Sequence, residues 1–276
     1  MCQGFSLVRK RVERKLRKRL RCLRRTYPTL VFANLNRILL DPKAGWLIRG
    51  TAAQVLALAD ARGTVASLLN RFFTQTDKIE LWETALTIEH FGDRAAVRPL
   101  IGALSDSNRD RRRAAARALG WIPRAGNRAA KALIQVLLDK SQPQPVCVEA
   151  AHSLAYSKCG QAIPALTSVL GEPDVEIRFW AVLALGGIGR SLRLKRGGYK
   201  WTPGVADPQL VNALERMLSN NEVPPGNWWS VGREALGRLG ELEPKFEEEL
   251  DLETQRVLLD PNSSPEDRRW AEGYSR

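Results

Sequence analysis

A short pattern recurs along the chain and narrows the folds open to it. Arg112-Arg-Ala-Ala-Ala-Arg-Ala-Leu-Gly120, Arg178-Phe-Trp-Ala-Val-Leu-Ala-Leu-Gly186, Trp229-Ser-Val-Gly-Arg-Glu-Ala-Leu-Gly237 and Arg49-Gly-Thr-Ala-Ala-Gln-Val-Leu-Ala57 read alike. Leu81 to Glu89 and Cys147 to Ala155 are weaker copies. Anchored on Leu56, Ile88, Leu119, Leu154, Leu185 and Leu236, the copies are spaced by 32, 31, 35, 31 and 51 residues. Four of the five intervals keep one phase, and the fifth reads as one period plus an insertion. A period of this size is the mark of a stacked repeat architecture.

Each copy has a second half. Gly92-Asp93 leads into Ala96-Val97-Arg98-Pro99-Leu100-Ile101-Gly102-Ala103-Leu104, and Ala129 to Leu138, Gln161 to Leu170 and Pro208 to Leu218 are comparable. Their apolar residues recur at i, i+3, i+4 and i+7, which predicts an amphipathic helix. Asp, Asn, Pro and Gly fill the joints, as in Gly171-Glu-Pro-Asp174. The unit is therefore a hairpin of two short helices, with small residues such as Ala114, Ala115, Ala150, Ala151 and Ala181 where helices must approach closely. One hairpin cannot bury its apolar face alone, so the hairpins must stack. The expected fold is all-α: a right-handed α-solenoid of about six hairpins over residues 27–276, preceded by a basic amphipathic helix over 1–26.

On the elements Ile177-Arg178, Ala114-Ala115, Ala118-Leu119-Gly120 and Gly92 to Leu100, the chain resembles the short bacterial HEAT-like repeats first grouped with phycobilisome lyase subunits. The resemblance spans roughly residues 45–240. A degenerate last copy follows, seen by setting Leu39-Leu40-Asp41-Pro42 beside Leu258-Leu259-Asp260-Pro261. It implies a fold, while such repeats serve as scaffolds in many settings.

The formal charge of +13 is unevenly placed. The first 25 residues carry eleven Lys and Arg against Glu13 alone, so +10 belongs to them and +3 to the rest. Phe5, Val8, Val12, Leu16, Leu20 and Leu23 fall on one helical stripe among those cations. Such an arm suits an anionic membrane interface, nucleic acid, or docking on a protein surface. The insertion, expected as a loop over 187–208, repeats the chemistry with Gly197-Gly198 and interleaved Tyr and Trp, a composition that can grip phosphates and stack on bases. The candidate anion-binding residues are Arg11, Arg14, Lys15, Lys18, Arg21, Arg25, Arg193, Lys195, Arg196, Tyr199 and Trp201. Opposed to them, Glu241, Glu243, Glu247, Glu248, Glu249, Asp251 and Glu253 make an acidic flank, which permits head-to-tail association or folding back of the arm.

No phosphate loop, nucleophile elbow or zincin motif occurs. His90 and His152 are the chain's two histidines, too few for the several His-Glu pairs of HEAT-like di-iron hydroxylases. Cys147, His152 and Cys159 match no paired zinc-ligand spacing. Neither a catalytic residue nor a metal ligand is expected. Four scattered cysteines fit a reducing compartment, so the expected setting is the cytoplasm, with a peripheral place at a membrane left open by the arm. Candidate partner-binding residues are Arg112, Arg178, Trp180, Trp228, Trp229 and Arg233, for a scaffold that holds another protein. The lyase resemblance implies an alternative, in which Trp228-Trp229 beside Arg233 walls a pocket for a bilin tetrapyrrole, the one cofactor expected under that reading. Nucleic-acid binding is the third.

Overall fold

The computed structural model describes residues 19, 22, 33–41, 43–58, 63–122, 125–157, 159–197, 207–226 and 229–274. Most of the basic arm therefore lies outside the described residues, as do Trp228 and the insertion residues Tyr199 and Trp201. Arg19 and Cys22 are helical and exposed. The chain divides into two compact units, residues 1–125 and 126–276. The boundary falls between hairpins, after α6 and before α7.

Unit 1 contains α1 (Ala33–Leu40), α2 (Trp46–Leu58), α3 (Gly63–Thr74), α4 (Lys78–Phe91), α5 (Val97–Ala103) and α6 (Arg109–Trp121). Unit 2 contains α7 (Gly126–Leu138), α8 (Gln144–Ser157), α9 (Ile163–Ser168), α10 (Val175–Gly197), α11 (Pro208–Glu215), α12 (Val231–Leu242), α13 (Glu247–Leu259) and α14 (Pro265–Tyr274). All regular structure among the described residues is helical. Consecutive helices pair as hairpins, with α1 on α2, α3 on α4 and α5 on α6 in unit 1. In unit 2, α7 packs on α8, α9 on α10, α11 on α12 and α13 on α14. The helices that carry the repeat motif also pack side by side: α2 on α4 and α4 on α6, then α8 on α10 and α10 on α12. Each unit is thus a two-layer stack of hairpins, the α-solenoid arrangement that the period predicts.

The local chemistry follows the sequence. Asp77, Asn108, Asp207 and Ser230 cap α4, α6, α11 and α12 by accepting backbone N–H groups of the first turn. Gly92 ends α4 in the left-handed conformation, with φ 66°. Ala114, Ala115, Ala150, Ala151 and Ala181 are buried where motif helices meet. Ala-Leu-Gly has a packing reason too. At Gly186 a Cβ would run into the Arg238 side chain of α12, and at Gly237 into the Tyr274 ring of α14, so the glycine makes room for the next motif helix.

One boundary differs from expectation. The helix that begins at Val175 continues through Gly197, so the described part of the insertion, 187–197, is helix rather than loop. Its Gly186-Gly187-Ile188-Gly189 stretch reads as a breaker, yet packing of these residues against neighbouring helices keeps it helical. Among the described residues no helix is long and apolar enough to cross a membrane.

Candidate functional site

The motif arginines are drawn inward. Arg178 Nη1 donates to the carbonyls of Glu172 and Pro173 at 2.6 and 2.9 Å, and Nη2 pairs with Glu222. Arg112 Nη1 donates to the carbonyls of Asp106 and Ser107 at 2.7 and 3.2 Å. Arg268, in the degenerate last copy, reaches the Asp260 carbonyl at 2.8 Å. In each case the cation turns back to satisfy carbonyls of the joint that precedes its own helix. Arg49 is buried and pairs with Glu83 of α4. These positions tie loops and neighbouring repeats together. That is the structural meaning of the repeated arginine, and it accounts for Arg112 and Arg178 without a partner.

The outward face of the motif layer carries different chemistry. In unit 2, His152 of α8 packs on Trp180 of α10 in a tilted arrangement, ring centroids 3.9 Å apart, and Tyr156 meets His152 edge-on at 5.4 Å. Phe179, buried beneath, holds Trp180 edge-on at 5.6 Å. Tyr156 is 40% exposed. Val148 and Leu183 are half-buried on the same two helices, and a 3.0 Å bond from Gln144 to Glu176 bridges their N-terminal ends. The result is an aromatic ledge fixed by packing from behind. His152 Nδ1 lies 3.3 Å from the Glu149 carboxylate, which is itself buried.

Unit 1 presents tryptophans under guanidinium groups. Arg113 lies 4.9 Å over Trp82, and Arg117 lies 4.9 Å over Trp121 while its Nε approaches Glu89 at 3.4 Å. Stacked Arg and Trp form a planar, preorganised surface. Ile79, on the same α4 stripe as Trp82, is largely exposed.

A third feature surrounds Trp229 and Arg233, which the structure does bring together. They line a cleft of about 540 Å³ with Leu218, Val223, Leu236, Glu249, Glu253, Arg256 and Asp267 among its walls. The Trp229 indole donates to Glu234 at 2.7 Å, and Arg238 Nε donates to the other oxygen of that carboxylate at 2.7 Å. Glu234 is 1% exposed. Burial works against the Arg238 charge, but Glu234, with Tyr274 and Glu241, overcomes it and holds the guanidinium above its usual range. Burial, reinforced by the Glu234 charge, pushes the Tyr274 phenol up. Arg233 pairs with Asp267, approaches Glu253 at 3.4 Å and lies 5.6 Å over Trp270. Three carboxylates therefore share the walls with two guanidinium groups.

Of the remaining sequence candidates, Arg193, Lys195 and Arg196 lie on the last turns of α10. Arg11, Arg14, Lys15, Lys18, Arg21 and Arg25 fall outside the described residues, with Tyr199, Trp201 and Trp228. Burial raises the Cys147 thiol above its ordinary value, and its Sγ faces the Val136 carbonyl at 3.8 Å. Cys159 faces Asn127 instead, and no cluster of metal-binding side chains forms among the described residues. Sequence reasoning missed His152 and Tyr156 as site residues. Their i, i+4 spacing on a motif helix, one repeat before Trp180, was the available signal.

The profile of HEAT repeats matches residues 65–146 and 130–224. Two engineered proteins solved by the Northeast Structural Genomics Consortium are similar in structure. One is 20% identical with a TM-score of 0.43, over 78% of this chain and 97% of its own. The other is 20% identical with a TM-score of 0.42, over 87% of this chain and 66% of its own. No curated protein matches the chain.

Proposed function

Because this chain belongs to the HEAT-repeat family, we propose that it is a non-enzymatic scaffold that docks another protein on the outward face of its motif helices. The observation that carries this reading is the ledge of Tyr156, His152 and Trp180. Tyr and Trp are enriched where proteins meet, because they bury much area at small entropic cost and dominate binding energy. Here the rings are already held by Phe179 and by each other, so little ordering is left for the partner to impose. The Arg-covered Trp82 and Trp121 extend the same chemistry on unit 1. The basic arm adds affinity for an acidic surface.

Within the family, the Ala-Leu-Gly and Gly92 to Leu100 elements favour the phycobilisome-lyase type of repeat. A bilin-binding role is the weaker proposal, since Glu249, Glu253 and Asp267 stand in the cleft where bilin propionates would have to sit.

The test is site-specific photo-crosslinking in cells, with a photoreactive residue at position 156 of the full chain and a control at 128 on α7. The expected result is a discrete protein adduct at 156 that is missing at 128. No adduct at 156, or the same adducts at both positions, would overturn the proposal.

A further inference from the structure

The cleft beside Trp229 lies wholly within unit 2, and its walls are fixed by the fold. One wall is the joint that precedes α12. The Gly232 N–H donates to the Asn220 carbonyl at 2.7 Å and that of Val231 to the Glu222 carbonyl at 3.0 Å, which straps the joint to the first turn of α12. A Cβ at Gly232 would strike the Leu218 carbonyl, so glycine is what lets the two approach. Trp229 is held through its indole N–H, which donates to the buried Glu234 at 2.7 Å. Leu218, Val223 and Leu236 complete the apolar lining. A volume of about 540 Å³ with apolar walls and a few charged groups is the build of a ligand pocket.

The charges in it do not cancel. Asp267 is engaged by Arg233, and Glu253 by Arg256 at 2.8 Å and by Arg233 at 3.4 Å. Three carboxylates against two guanidinium groups leave one negative charge. Glu249, exposed and in no ion pair among the described residues, carries it. We propose that this cleft receives an arginine side chain from an extended segment of a partner protein, its guanidinium on Glu249 and its stem along Trp229 and Val223. The residual charge selects a cation. A guanidinium offers a carboxylate two parallel N–H donors and stacks flat on an indole, whereas an ammonium is a compact point charge. The methylene stem of arginine suits the apolar lining. A peptide segment fits better than a free amino acid, whose α-carboxylate would meet the acids of the cleft. Val223, 51% exposed, and Leu252, 61% exposed and next to Glu253 on α13, give apolar neighbours of that arginine something to cover. The inference takes from the scaffold reading only the kind of partner, since the cleft and the ledge at Trp180 share no residue. One exposed ion pair is weak, so the contact with Trp229 supplies much of the selectivity.

The test is a titration of the full-length chain, carrying isotopically labelled tryptophan, with the capped peptide acetyl-Ala-Arg-Ala-amide and its lysine and glutamine counterparts at millimolar concentration. The readout is the indole N–H resonance of Trp229, assigned with Trp229→Phe. The expected result is a saturable shift with the arginine peptide, several-fold weaker binding of the lysine peptide and no saturation with the glutamine peptide. Glu249→Gln, an exposed change that keeps the side chain's size, should weaken the arginine peptide several-fold. The other indole resonances should hold their positions in that variant, which checks its fold. No shift at Trp229, an equal response to the lysine or glutamine peptide, or undiminished affinity in Glu249→Gln would overturn the proposal. Free arginine binding as tightly as the peptide would also overturn it, by making the cleft a small-molecule site. A shift at Trp180 alone would overturn the cleft and leave the ledge standing, so the two proposals fail separately.

Discussion

Arg178 shows how one side chain can be legible in type while its packing role is not. Its recurrence marks it as important, and a cation on a repeat motif reads naturally as a partner contact. In the fold its donors reach the carbonyls of Glu172 and Pro173 and the Glu222 carboxylate. Nothing in a repeat pattern distinguishes a cation that faces solvent from one that turns back five residues. Hydrogen bonds made by a buried charged group are each worth about 1.5–3 kcal/mol. Arg178→Ala should therefore lower stability by about 2 kcal/mol, read as a shift in the denaturant midpoint at constant slope. Gly237→Ala sets a methyl group against the Tyr274 ring and should cost about 1–3 kcal/mol, the usual range for overpacking. A thermal melt no lower than that of the unaltered chain would contradict this packing role for the Ala-Leu-Gly glycine.

At the scale of single elements, the sequence was most informative about helices and joints. Apolar periodicity placed the helices, and Asp77, Asn108, Asp207 and Ser230 cap where their residue types suggest. It was least informative about where α10 ends, because a run of glycines ordinarily breaks a helix and only tertiary packing holds this one. The ledge was half legible: Trp180 stood out as a tryptophan on the motif, while His152 and Tyr156 gain meaning only when α8 lies beside α10.

The joint before α6 also has a pH signature. Burial opposes the Asp106 charge, but the Asn108 N–H at 2.8 Å and Arg111 at 3.0 Å outweigh it, holding the carboxyl below the ordinary carboxylate range. Arg111 also reaches the Gln75 carbonyl at 3.0 Å, so this joint fastens the preceding hairpin. A group with a depressed folded pKa stabilises the fold above its unfolded value, near about 3.9 for Asp, and that contribution is lost as pH falls through the folded value. Asp106→Asn should thus melt below the unaltered chain at pH 7, and the gap should close as pH is lowered through 4 towards 3. An equal gap at both ends of that range would show that the carboxylate charge is not what fastens the joint.

At the scale of the whole molecule, the period predicted stacked hairpins because no single hairpin buries its own apolar face, and the family match agrees. The division at residue 125 was not legible, since Ala125-Gly126 resembles any other joint in composition. Charge was legible by segment: nearly all of the +13 belongs to the arm, and α13 supplies an acid-rich counterpart. Contacts made by the arm should weaken as salt rises from about 50 to 500 mM, whereas contacts at the aromatic ledge should persist. Binding at the ledge that vanished over the same range would place its energy in charge rather than in aromatic burial.

The central claim is that the motif-helix face docks a protein, and quantitative affinity capture tests it most directly. The full-length chain, a Tyr156→Ala/Trp180→Ala variant and an Arg128→Ala control are compared on the same native lysate at moderate salt. Truncating an aromatic that is buried on binding costs about 2 kcal/mol or more, roughly 30-fold in affinity for each of the two residues. The account predicts a defined protein retained by the unaltered chain and the control and lost from the ledge variant, with the melting temperatures of all three checked in parallel. Retention of that protein by a folded ledge variant at undiminished affinity would contradict the account.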